Sequence, residues 1–367
     1  NEIKNKRMEI VYMSLQIKIQ GTLGAAAIAD AMGAATENLT FDQIRTKFNG
    51  KVSTFLKPEE GAFALGNEAG QVTDDFSQIY TLCHSIIENR GVIDSETVKT
   101  AILKWSENTW YFDRFAGPTT RSAIAMYKNP DQKMAPLPGA MAVDYASKAT
   151  NGAAMKIAPA GILNPGDIEK AIQEALIITQ VTHDNALAIS GAAAVAAAVS
   201  ASLCDHATVD QLVAIGIYGA CRGEELGKVY SREVGGPSVV ERMKLAYTIV
   251  NESGTHEEKL QRLAQIIGSG LHISEAVPCA FGIIALNKQD PFNAIIDAVN
   301  VGYDTDTIAT IVGSMVGALI DPDDERFTPL FRDVQSANSY DLTSLAESLA
   351  NVVNENDKSK GKISLDL

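Results

Sequence analysis

Residues 292–320 are predominantly apolar and patterned for a helix, yet Asp304-Thr305-Asp306-Thr307 falls in their middle. A second acidic corner, Thr73-Asp74-Asp75, also leads straight into an apolar run with helical spacing. A fold that uses these runs as core must place carboxylates at its centre, and buried carboxylates need a positive counter-charge. If the corners meet, four carboxylates and at least two threonine hydroxyls form a set of hard oxygen donors of the kind that binds Mg²⁺ or Mn²⁺. Asp and Thr also favour helix starts, where their side chains accept free backbone N–H groups, so for either corner alone capping is the simpler reading. Two corners, one of them inside a core-like run, favour the metal.

The chain has 367 residues, 46% apolar and 21% charged, enough for one large core or two ordinary domains. A net charge of −14 with no Lys/Arg block argues against nucleic-acid or anionic-membrane partners, whose binding rests on clustered basic residues. The Ala-rich stretch 189–204, interrupted by Ser190, Gly191 and Ser200, reads as a buried helix and is too short to span a bilayer. Cys83, Cys204, Cys221 and Cys279 lie far apart with no Cys-x-x-Cys pair, which suggests reduced thiols in the cytoplasm and neither a thiolate zinc site nor a disulfide framework. Residues 1–20 lack the continuous apolar stretch of a secretory signal.

Helical spacing dominates. Ile168, Ile172, Ala175, Leu176 and Thr179 repeat at three and four, as do Leu212, Ile215, Tyr218 and Leu260, Leu263, Ile266, Ile267. Asp167, Thr255 and Asp341 stand where helices should begin. The pattern predicts roughly a dozen helices and no strand series. Residues 51–71, with Pro58, Gly61, Gly66 and Gly70, read as a long loop. Small residues crowd 21–35, 186–200 and 308–319, which predicts three closely packed neighbours in the core. Residues 354–362 are polar and expected to fray. The economical organisation is one all-α domain over residues 1–367, with its core at about 17–353 and peripheral termini.

The motifs resemble those of the ADP-ribosylglycohydrolase family. Gly21-Thr22-Leu23-Gly24 with Ala29-Asp30-Ala31-Met32-Gly33-Ala34-Ala35-Thr36-Glu37 is similar to the family's Gly-Asp-Ala-Leu-Gly...Glu segment. Gly70-Gln71-Val72-Thr73-Asp74-Asp75 resembles its Gly-x-Thr-Asp-Asp-Thr segment. Gly117-Pro118-Thr119-Thr120, then Asn151-Gly152-Ala153-Ala154-Met155-Lys156-Ile157-Ala158-Pro159, then Thr182-His183-Asp184 follow in family order. Asp304-Thr305-Asp306-Thr307 closes the series.

The resemblance implies a compact, orthogonal multi-helix fold with two divalent cations, Mg²⁺ or Mn²⁺, at the floor of a cleft. Carried over by position, the metal ligands are Thr73, Asp74, Asp75, Asp304, Asp306 and Thr307. Glu37, Asp75 and Asp306 become the catalytic candidates, while Asn151, Gly152, Met155, Lys156 and His183 line the substrate. His183 reads equally well as a cap or a satisfied core residue. The implied reaction is hydrolysis of an ADP-ribosyl or related ribosyl bond on a protein side chain or small molecule, through an oxocarbenium-like state. A non-catalytic member like the lens crystallin relatives, or a two-metal phosphohydrolase, is the alternative. Four positions depart from the family pattern. Phe76 stands for a threonine, Tyr303 for a glycine, Lys156 for an arginine and Ala29 for a glycine. Phe76 and Tyr303 are bulky neighbours of the expected metals, and each is expected to fill substrate space or offer a stacking surface.

Overall fold

A computed structural model describes residues 2–131, 136 and 140–363. Among these there are seventeen α-helices and no strand, only isolated bridges pairing Thr150 with His272 and Asn185 with Arg232. The longer helical stretches lie where the periodicity put them, including residues 256–267, where His256–Arg262 runs on into a π-turn at Leu263–Ile267. Asp167 caps Ile168–Gln180 by accepting Lys170 N, and Thr255 with Glu258 forms a capping box at the start of His256–Arg262. The helices that exceed the predicted dozen are short, such as Phe41–Lys47, Thr109–Phe115 and Ala158–Ile162. Segments of five to seven residues span fewer than two turns and show too little periodicity to be recognised. The last helix runs from Leu342 to Ile363, so the stretch expected to fray is helical.

Small residues set the architecture. A β-carbon on Gly21 would stand 2.5 Å from Gly317 O, and one on Gly313 would stand 2.5 Å from Ala25 O. The helix Glu2–Gly33 therefore lies backbone to backbone along Thr305–Val316. Ala186–Ser202 is buried along its whole length and packs as closely on Val209–Tyr230, where a β-carbon on Gly219 would stand 2.6 Å from Ala193 O. It also touches Thr305–Val316. Of the three small-residue segments, the last is thus the one packed against both of the others. One apolar cluster extends from Ile19 to Val353. The 51–71 loop is irregular and is pinned by Asn300, whose side chain bonds Val52 N at 2.8 Å and Val52 O at 2.7 Å. Among the described residues no helix is long and apolar enough to cross a membrane.

Candidate metal centre

Both acidic corners are helix starts, but only one of them caps. Thr73 is the N-cap of Asp74–Glu88, and its Oγ1 accepts Asp75 N at 3.4 Å while donating to Asp75 Oδ2 at 3.1 Å. Asp304 occupies the N-cap position of Thr305–Val316 without any side-chain cap bond. Its Oδ2 instead accepts from Asn151 Nδ2 at 2.5 Å. Thr305 is structural, donating to Gly33 O at 3.1 Å and accepting from Thr36 Oγ1 at 2.9 Å. Thr307 places its hydroxyl against the carboxylates of Asp75 and Asp304. Glu37 joins from the turn that follows the first helix.

The corners meet. Ligand-capable oxygens of Asp30, Asp75 and Asp306 lie within 4.8 Å of one another, as do those of Glu37, Asp304 and Asp306. Asp75 Oδ1, Asp306 Oδ1 and Glu37 Oε2 are buried and have no hydrogen-bond partner. None of the ion pairs among the described residues includes any of these acids or Asp74.

Burial followed by the Asp304 charge pushes the half-buried Glu37 up to about 9, and burial followed by Asp30 pushes Asp74 up to about 8. Burial raises Asp30 to about 7, and it lifts Asp75 and Asp306 well above the carboxylate range with help from their acidic neighbours. Asp304 is raised by burial as well. Lys156 is fully buried and lowered to about 8 by that burial, against the pull of Asp74 and Asp75. Crowded carboxylates with orphaned oxygens and one nearby ammonium take up either protons or cations. The donors are all hard oxygens, so the set fits Mg²⁺ or Mn²⁺.

The glycine loop stands beside this cluster. Asn151 N donates to Leu271 O at 2.8 Å, and Lys156 Nζ donates to Gly152 O. Met155 is buried. His183 lies against Gly152, where a β-carbon would come 3.1 Å from its Nε2. Both its nitrogens are engaged, Nε2 with Thr150 Oγ1 and Nδ1 with Thr182 Oγ1, each at 2.8 Å. Buried and held well below its ordinary pKa by that burial, it is a neutral, satisfied residue that shapes the loop.

The ADP-ribosylglycohydrolase family profile matches residues 13–358. The chain belongs to the ADP-ribosylglycohydrolase family. The protein YegU of Escherichia coli (strain K12) is 29% identical over 347 residues, which cover 91% of this chain and 96% of that protein. ADP-ribosylhydrolase ARH3 of Homo sapiens is 24% identical over 318 residues, covering 82% of this chain and 85% of the relative. The ADP-ribosylarginine hydrolase Tri1 of Pseudomonas putida (strain GB-1) is 25% identical over 308 residues, covering 82% and 70%. A solved structure described as an ADP-ribosylglycohydrolase-related protein complex superposes with a TM-score of 0.66 at 20% identity, over 93% of this chain and 99% of that one, and so shares the fold.

Two departures from the ADP-ribosylglycohydrolase pattern resolve differently. Phe76 offers no stacking surface: it is 0% exposed and lies in the apolar core, its ring 5.8 Å from that of Tyr340. Successive helix residues differ by about 100°, so the neighbour of an Asp75 turned to the acidic group naturally faces the apolar core. Tyr303 is 50% exposed and holds φ +66°, a conformation that suits the glycine it replaces. Its backbone is clamped to the Glu37 turn, Tyr303 N donating to Leu39 O and Asn38 N to Tyr303 O, both at 2.7 Å. Its ring rests on Gly270, where a β-carbon would come 2.5 Å from Cε1. Sequence reasoning missed Asp30 as a member of the acidic group, although it lies inside the first quoted motif.

Proposed function

We propose that the chain is a metal-dependent hydrolase that cleaves an ADP-ribosyl, or related ribosyl, glycosidic bond on a protein side chain or small molecule. The observation that carries this reading is that Glu37 and Asp75, from different elements, each converge with Asp306, and each of the three has a buried carboxylate oxygen with no hydrogen-bond partner. In this reading Thr73, Asp74, Asp75, Asp304, Asp306 and Thr307 hold two ions, Mg²⁺ or Mn²⁺. When bound, these ions supply Lewis acidity and positive charge to the ribosyl group and the attacking water.

The chain's own residues do the rest. Glu37, half-buried beside Asp304 and Asp306, is the group that moves the proton of the attacking water. Asp75 and Asp306 face the positive charge that develops at the anomeric carbon. Asn151 holds Asp304 Oδ2, so the loop that carries Gly152 is tied directly to the acidic floor. Tyr303, half-exposed between the Glu37 turn and the segment around Gly270, sets which leaving group fits. A reducing cytoplasmic setting belongs to the same proposal and is supported by four unbridged cysteines.

The test is a panel of ADP-ribosylated arginine, ADP-ribosylated serine and small N-ribosides, incubated with Mn²⁺ or with EDTA and followed by mass spectrometry. Release of the sugar from at least one substrate with Mn²⁺, and from none with EDTA, is the expected result. No release from any substrate, or release of inorganic phosphate in place of the sugar, overturns it.

A further inference from the structure

Asp30 is fully buried near the end of the first helix, and none of the ion pairs described above includes it. Its Oδ1 accepts Thr73 N at 2.9 Å, and its Oδ2 accepts Thr73 N at 3.1 Å and Phe76 N at 2.8 Å. Those two amides bracket Asp74 and Asp75. An α-helix leaves its first N–H groups without intrahelical acceptors, and the N-cap side chain normally answers them. Here Thr73, the N-cap, reaches only Asp75 N, and at the long distance of 3.4 Å. The carboxylate that an N-cap aspartate would supply from within its own helix is supplied from another helix, a charge-assisted arrangement that also complements the positive end of the helix dipole.

Three residues further along the same helix, Gly33 meets the second corner, where its β-carbon would stand 2.5 Å from Asp306 Cα. One helix therefore touches both acidic corners, the first through a side chain and the second through bare backbone.

We propose that Asp30 is a positioning residue of the metal centre: it caps Asp74–Glu88 from the first helix and so fixes the spacing and orientation of the Thr73-Asp74-Asp75 corner relative to Asp304 and Asp306. This rests on the two-metal reading given above. Asp30 belongs to one of the groups whose oxygens converge, so direct ligation is the competing role. Two backbone N–H donors already hold its carboxylate through three contacts, and turning it onto an ion gives up contacts that order the corner.

Asp30→Asn keeps the size and one acceptor oxygen but cannot serve both amides as before. Amide proton shifts of Thr73 and Phe76 in the metal-free protein, followed by Mn²⁺ titration of wild type and variant by calorimetry and electron paramagnetic resonance, decide the matter. The expected result is that both amide protons move upfield in Asp30→Asn. Mn²⁺ stoichiometry is unchanged, and affinity falls by about 10- to 100-fold, the range typical of residues that orient metal ligands. Unmoved amide signals, or unchanged affinity, overturn the proposal; loss of one Mn²⁺ equivalent also overturns it by making Asp30 a ligand. If the wild type binds no Mn²⁺, the two-metal reading fails by itself, and the amide shifts still decide whether Asp30 fixes the corner. Should the variant not fold, the wild-type amides serve: Thr73 and Phe76 should lie downfield of Asp74 N–H and exchange more slowly, and ordinary shifts with fast exchange overturn the assignment.

Discussion

Gly33 and Asp306 meet without a side chain between them: a β-carbon on Gly33 would stand 2.5 Å from Asp306 Cα and 2.7 Å from its N. Gly33→Ala must push the second acidic corner away from the first helix. Overpacking of this kind costs about 1–3 kcal/mol, and the displaced Asp306 should weaken metal binding too. Urea unfolding and Mn²⁺ calorimetry of the variant check both effects; wild-type stability with wild-type affinity would show that the contact has slack.

Asn151 bonds Asp304 Oδ2 at 2.5 Å. Asn151→Ala leaves that oxygen free to turn, and Mn²⁺ affinity should fall about 10- to 100-fold, as it does when partners of metal ligands are removed. Calorimetry on the folded variant measures this directly, and an unchanged affinity counts against the role given to the loop.

The acidic corners were legible because their residue types conflict with their surroundings: acids in apolar, helix-patterned runs demand an explanation. Asp30 was not singled out, because its partners Thr73 and Phe76 lie 43 and 46 residues away and the link is purely spatial. Phe76 was misplaced because adjacency in sequence to Asp75 says nothing about sharing a helix face. His183 kept two readings until the hydroxyls of Thr150 and Thr182 were found on its nitrogens. The long helices announced themselves by period, whereas those of five to seven residues had no room to.

Tyr303 holds φ +66° where a glycine would be at ease. Tyr303→Gly keeps the backbone clamp to Leu39 and Asn38, relieves the strain and should raise unfolding stability by about 1 kcal/mol. Removing the ring should also narrow the ratio of kcat/KM between the best and worst substrates of the panel. A variant that is less stable and equally selective contradicts both parts.

Metal-free stability should depend on pH with a definite sign. Asp30, Asp74 and Glu37 are raised to about 7, 8 and 9, so between their unfolded values near 4 and these the folded chain binds more protons than the unfolded one. Their contribution is complete below the unfolded values and is lost as pH rises through the folded ones. In EDTA, the melting temperature should therefore fall from pH 5 to pH 8. Above that, Lys156, lowered to about 8, works in the opposite direction and flattens the decline. Saturating Mg²⁺ should remove the decline, because deprotonation strengthens the cation's hold. A melting temperature in EDTA that rises steadily over the same interval contradicts the assignment of the acids as crowded and unpaired.

Asp306 belongs to both groups of converging oxygens, so the account turns on it. Native mass spectrometry of the folded chain titrated with Mn²⁺ should show two ions per wild-type chain, and Asp306→Asn should hold neither at the same concentration. Wild-type protein that stays metal-free, or an Asp306→Asn variant that loads both ions as readily, would contradict the two-metal centre.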